Sequence, residues 1–149
     1  MKTCFFIGHR DAPDDVSEVL AATVERHIAE HGVTAFIVGG YGRFDRLAAA
    51  AVKAAKTSHP QITLTLLLPY HPALRPTETP QGFDGTCYPP NMENVPPRYA
   101  IVRANRYAVE RADFLITYVN RTPSNAREMV RYAERRGVTV TNLAKGIEE

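Results

Sequence analysis

Ile37-Val38-Gly39-Gly40-Tyr41-Gly42-Arg43-Phe44-Asp45-Arg46 runs apolar β-formers straight into two glycines, with a third soon after and helical spacing beyond it. Glycine serves where a backbone turns sharply or lies against a ligand. A tight strand-to-helix turn aims free backbone N–H groups and the positive helix end at one point, which suits a phosphate. The stretch therefore reads as a βα turn, and Gly39, Gly40, Tyr41 and Gly42 are candidate ligand contacts. An ordinary turn, in which the glycines only relieve crowding, is the competing reading. Asp45, in the first turn of the helix, is either a partner for the helix dipole or a contact for a ligand hydroxyl.

Buried strands and amphipathic helices alternate outward from this turn. Thr3 to Ile7 is an uninterrupted apolar strand ended by Gly8, with His9, Arg10 and Asp11 directly after it. Val16, Val19, Leu20, Val24 and Ile28 recur at helical spacing behind Asp14 or Asp15 as cap, and Gly32 is a natural stop. Thr34 to Val38 is the second strand, and Phe44 to about Thr57 is an alanine-rich helix able to lie close on a sheet. Gln61 to Leu68 is the third strand. Arg98 to Arg111 is helical, with Arg103, Asn105, Arg106 and Tyr107 away from its apolar stripe. A fourth strand lies within Ala112 to Val119, a helix begins near Pro123 and stops at Gly137, and Val138 to Leu143 is the last strand.

This order predicts an α/β fold with a single open parallel sheet of about five strands, helices on both faces and right-handed crossovers. The expectation is one domain over residues 1–149. The exception in texture is the segment 69–97, which holds eight of the eleven prolines. A long irregular segment inside a domain is generally a lid, a binding loop or a contact surface, or is disordered; Tyr70, His71, Phe83, Tyr88 and Met92 favour an ordered loop here.

Composition narrows the class. The 149 residues are 44% hydrophobic and 23% charged, as in a soluble globular protein. Cys4 and Cys87 form no CxxC metal pattern or disulfide framework, which implies a reducing, cytoplasmic setting; no metal and no cofactor is expected. No apolar run is long enough for a membrane span. With 18 basic and 16 acidic residues, the balanced charge speaks against nucleic acid as a partner, as does the lack of a basic-aromatic stripe in the sequence.

In open α/β sheets ligands bind beyond the carboxyl ends of the strands, where strand order reverses. Each polar cluster here follows such an end: Gly8-His9-Arg10 after the first strand, Gly39 to Asp45 after the second, and Asn120 to Glu128 after the fourth. In the last cluster Thr122, Ser124 and Asn125 are candidate donors at a helix start. The glycines do not make a GxGxxG fingerprint, and no Lys-Ser/Thr of a P-loop is present, so NAD and NTPase readings are set aside.

Phe5-Phe6-Ile7-Gly8-His9-Arg10 and Gly39-Gly40-Tyr41-Gly42-x-Phe44-Asp45-x-Leu47-Ala48-Ala49 resemble the SLOG superfamily. Within it they resemble the DUF1273 group of YpsA- and YoqJ-like proteins. Arg103-x-Asn105-Arg106-Tyr107, Ala112 to Val119 and Tyr132-Ala133-x-Arg135-Arg136-Gly137 extend the resemblance over nearly the whole chain. It implies a Rossmann-like sheet, expected in the strand order 3-2-1-4-5, and a pocket for a nucleotide or a nucleotide-derived, phosphoribosyl-containing ligand. Superfamily relatives include LOG-type phosphoribohydrolases, DprA and ligand-sensing domains. LOG enzymes carry Gly-Gly-x-Gly-Thr-x-x-Glu; this chain offers Asp45 at the first turn, and Glu128 without the glycines later.

Two functions compete. In a sensor or sequestering protein, Arg10 meets phosphate, the glycine turn cradles phosphate or ribose, Asp45 takes a hydroxyl and Arg106 closes over the ligand. In an N-glycosidic hydrolase or transferase, Glu128 or Asp45 supplies the carboxylate and His9 the acid or base. A salt bridge from Glu128 to Arg127 or Arg131 is the plainer reading of that residue. Homo-oligomerisation is a further expectation.

Overall fold

A computed structural model of the chain describes residues 1–71, 73, 75, 79–121 and 124–144. Its strands are β1 (Lys2–Gly8), β2 (Val33–Val38), β3 (Thr63–Leu67), β4 (Gly85–Cys87), β5 (Phe114–Tyr118) and β6 (Thr139–Asn142). The helices are α1 (Val16–His31), α2 (Arg43–Lys56), α3 (Ala100–Arg111) and α4 (Asn125–Arg135). All neighbouring strands pair in parallel, in the order β4-β3-β2-β1-β5-β6. The chain therefore winds one way from β1 through β2 and β3, then crosses back to β5 and β6. The switch point lies between β1 and β5.

Both faces of the sheet are covered, so its central strands carry apolar side chains in both directions. Cys4 and Phe6 of β1 point into the layer formed by α1 and α2, where Leu20, Val24, Phe44 and Val52 are buried. Phe5 and Ile7 point the other way, against Ala104, Ala108, Met129 and Ala133 of α3 and α4. Small residues on three of the four helices let them lie close on the strands. Gly32 ends α1, its N–H returning to the His27 carbonyl, but the Asp15 side chain makes no capping bond.

The five expected strands stand in the expected order, and a sixth is added at the edge from within the proline-rich segment. β4 is only Gly85-Thr86-Cys87, which carries no apolar run that a sequence pattern could register. Beside the backbone ladder to β3, Asp84 anchors it: the carboxylate accepts the Leu64 N–H at 2.7 Å and meets Lys56 Nζ at 2.6 Å, while the Asp84 N–H donates to the Leu64 carbonyl at 2.8 Å. Met92 is buried with the α3–α4 core, so this part of the segment packs over the sheet. Among the described residues no helix is long and apolar enough to cross a membrane.

Candidate functional site

β1 ends at Gly8, and the ring of Phe44 lies directly on it. A Cβ at Gly8 would come within 2.5 Å of Phe44 Cγ, so this glycine allows the start of α2 to sit on the strand end. His9 follows and is buried. Its backbone N–H donates to the Tyr118 carbonyl at 3.2 Å, and its Nε2 accepts the Asn120 N–H at 3.1 Å. His9 thereby ties the end of β1 to the end of β5 across the switch point. With Nε2 accepting, the ring proton sits on Nδ1. Burial pushes the imidazole pKa below 6.5, Arg121 pushes it further down, and Asp11 opposes both.

The β1–α1 loop docks on the glycine turn. The Arg43 N–H donates to the Arg10 carbonyl at 2.9 Å. Gly42 has φ +127°, and a Cβ there would meet Arg10 Cα at 2.8 Å. Conformation and close approach both require glycine at this position. Asp45, in the first turn of α2, folds back over the turn and accepts the Tyr41 N–H at 3.0 Å. Burial raises the Asp45 pKa, against the lowering effects of that hydrogen bond and of the Arg10 charge.

α4 starts at the same rim. Ser124 is its N-cap: the hydroxyl accepts the Arg127 N–H at 3.0 Å and donates to the Arg121 carbonyl at 3.3 Å. Among the described residues the N–H groups of Asn125 and Ala126 find no acceptor, as expected for a first helical turn. Arg121 pairs with Asp11 at 2.9 Å. The Asn142 side chain clamps the end of β5, accepting the Val119 N–H at 3.1 Å and donating to the Val119 carbonyl at 2.9 Å.

These elements enclose a cavity of about 260 Å³ at the carboxyl edge of the sheet. Gly8, His9, Arg10, Gly39, Tyr41, Asp45, Ser124 and Asn125 line it, so candidates from all three clusters meet at one place. Ile7, Leu67, Pro69, Ile101 and Val102 give it apolar walls. The site thus combines an exposed guanidinium, a half-buried carboxyl, the positive end of α4 and an apolar surface.

Other expected residues lie elsewhere. Gly40 and Gly42 shape the turn without lining the cavity. Arg106 does not line it either; its guanidinium sits 4.6 Å from the Tyr132 ring centroid. Glu128 is exposed on α4, 3.7 Å from Arg131, which matches the plain salt-bridge reading. Thr122 lies outside the described residues. Ser124 spends its hydroxyl on capping and leaves donation to the backbone. Arg121, within the Asn120 to Glu128 cluster but not singled out as a contact, lines the cavity, and so does Asn105, which the sequence reading left outside the site. Helical spacing could have found Asn105: it falls one turn after Ile101, on the half-buried side of α3, whereas Arg106 is turned outward.

No family model matches the chain, and no curated protein matches it in sequence. Among solved structures, DNA processing protein A (DprA) from Streptococcus pneumoniae is similar with a TM-score of 0.67 at 13% identity, over 94% of this chain and 49% of that one. DprA from Helicobacter pylori, described with its single-stranded DNA binding mode, is similar with a TM-score of 0.64 at 15% identity, over 99% of this chain and 71% of that one. The chain spans about half the length of the first of these. At such identities the likeness is one of fold. It is the Rossmann-like fold that the resemblance to the SLOG superfamily implied. It also corrects the expectation that set nucleic acid aside, since the Helicobacter protein of this fold binds single-stranded DNA. Balanced net charge does not rule such a ligand out, because it averages over the chain, whereas binding responds to one face.

Proposed function

We propose that this chain, as a member of the DUF1273 group of the SLOG superfamily, binds a nucleotide or nucleotide-derived, phosphoribosyl-containing ligand in this cavity. It does so as a cytoplasmic sensor or sequestering protein. The observation that carries the reading is the convergence of Arg10, Asp45 and the α4 N-terminus on one cavity with apolar walls. Arg10 offers a fork of donors to phosphate, and the Asn125 and Ala126 N–H groups offer a second anion contact. Asp45 receives a sugar hydroxyl. Ile7, Ile101 and Val102 flank the base or sugar.

The glycine turn contributes less to anion binding than its sequence suggests, because Asp45 already occupies the Tyr41 N–H. A second reading, that the nucleotide belongs to a single-stranded nucleic acid, is favoured by the fold likeness to the Helicobacter protein. The hydrolase reading rests on Asp45, the only carboxylate lining the cavity among the described residues. His9 gives it little support as a base, since its Nε2 lone pair is engaged by the Asn120 N–H.

A thermal-shift panel of nucleoside monophosphates, ADP-ribose and cyclic dinucleotides tests the reading, each mixture then being analysed by mass spectrometry. A shift with intact ligand supports binding without turnover. A shift with released base identifies a hydrolase. No shift with any of them removes the cavity as a nucleotide site.

A further inference from the structure

The charge that is balanced over the chain is segregated along it. Residues 1–97 carry eight basic and ten acidic groups, whereas residues 98–136 carry nine arginines, no lysine and four acidic groups. The second stretch supplies α3 and α4, which pack side by side on one face of the sheet. Arg103 and Arg106 of α3, three residues apart, are exposed on one side of their helix, as are Arg131 and Arg135 of α4.

Tyrosines are interleaved with these arginines across the seam. The Tyr132 ring has the Arg106 guanidinium 4.6 Å from its centroid and that of Arg135 at 5.9 Å. Its hydroxyl donates to Glu110 of α3. Farther along α3, Arg111 lies 4.0 Å from the Tyr107 ring centroid. Stacking on a ring limits the freedom of a guanidinium and leaves its outer face available. The seam begins at the cavity, where Asn105 of α3 and Asn125 of α4 both form the wall. Arg106 is the next residue after Asn105, and Tyr132 lies two turns beyond Asn125.

We propose that the α3–α4 seam is a binding surface for a single-stranded nucleic acid, running from the cavity mouth past Arg106, Tyr132 and Arg135. Phosphates meet the exposed arginines, and unstacked bases lie on the guanidinium planes held by tyrosine. A surface whose cations are all arginines suits this ligand, because guanidinium combines bidentate phosphate contact with a flat stacking face, and ammonium does not. The surface takes its ligand class from the single-strand reading above, yet its residues are separate from those of the cavity.

The test is fluorescence anisotropy of a labelled oligo-dT of about 20 nucleotides across a salt series. It uses the full chain and the variants Arg106→Ala/Arg135→Ala and Arg106→Lys/Arg135→Lys. The alanine pair is expected to weaken binding at least about tenfold and to reduce the salt slope by about 0.7 for each phosphate no longer neutralised. The lysine pair is expected to restore the slope and only part of the affinity. Unchanged affinity in the alanine pair overturns the proposal, and so does poly-glutamate binding as tightly as oligo-dT, which would mark a surface for acidic protein. If the alanine pair does not fold, Arg103→Ala/Arg131→Ala is read by the same criteria. Arginine-dependent oligo-dT binding without any mononucleotide response removes the cavity reading and leaves this surface standing. A mononucleotide response without oligo-dT binding does the reverse.

Discussion

The Asp45 carboxylate accepts the Tyr41 N–H at 3.0 Å, so the first turn of α2 reaches back over its own glycine turn and takes up a donor that a bound anion would otherwise use. Burial makes the ionised form of Asp45 costly, and its pKa is raised. A raised carboxylate favours folding most at low pH, and that contribution is lost as pH rises through the folded pKa. Asp45→Asn keeps an acceptor for Tyr41 and removes the charge. It is therefore expected to raise Tm at neutral pH, the gain vanishing as pH falls below the ordinary carboxylate value of 3.8. Melting curves over a pH series check this; a Tm lowered at neutral pH would show that the charge stabilises the turn.

Two buried histidines contribute to the acid side of the stability profile. His9 is held neutral mainly by burial, and so is His27, whose Nδ1 lies 2.8 Å from the Thr23 carbonyl. Both pKa values lie below 6.5, so the unfolded chain binds more protons than the folded one as pH falls through that value. Stability is expected to drop there. The pair His9→Gln/His27→Gln is expected to flatten the drop, as read by urea unfolding at each pH. An equally steep profile in that variant would assign the loss to other groups.

Gly8 and Phe44 test how α2 is seated. A methyl group at Gly8 would press into a ring that is only 1% exposed and has little room to move. Gly8→Ala is expected to cost about 2 kcal/mol of stability, in the range of overpacked cores. Urea unfolding measures it, and Gly8→Ala/Phe44→Leu should recover part of the loss. A cost near zero would mean that Phe44 moves aside freely.

The fold was legible because its signal is redundant. Each central strand is an apolar run, each helix carries an apolar stripe, and Gly8, Gly32 and Gly137 punctuate them. β4 escaped because its three residues carry no apolar run and it is anchored in part by Asp84, a side chain outside the strand. The rim of the site was legible by the same logic, since strand ends in a parallel sheet converge wherever the chain goes next. Which side chains face inward was less so. Arg106 and Asn105 are neighbours in sequence, but the 3.6-residue repeat sends one to Tyr132 and the other to the cavity. The basic-aromatic layer was invisible as a linear stripe because α3 and α4, which build it together, are separated in sequence by β5.

Calorimetric titration of a nucleoside 5′-monophosphate into the wild-type chain and Arg10→Ala tests the central claim most directly. Arg10 is exposed, so its removal should leave Tm nearly unchanged. If it meets the phosphate, losing a charge-assisted hydrogen bond should weaken binding at least about tenfold. Equal affinity in the two proteins, with saturable binding in both, would contradict the placement of the phosphate at Arg10.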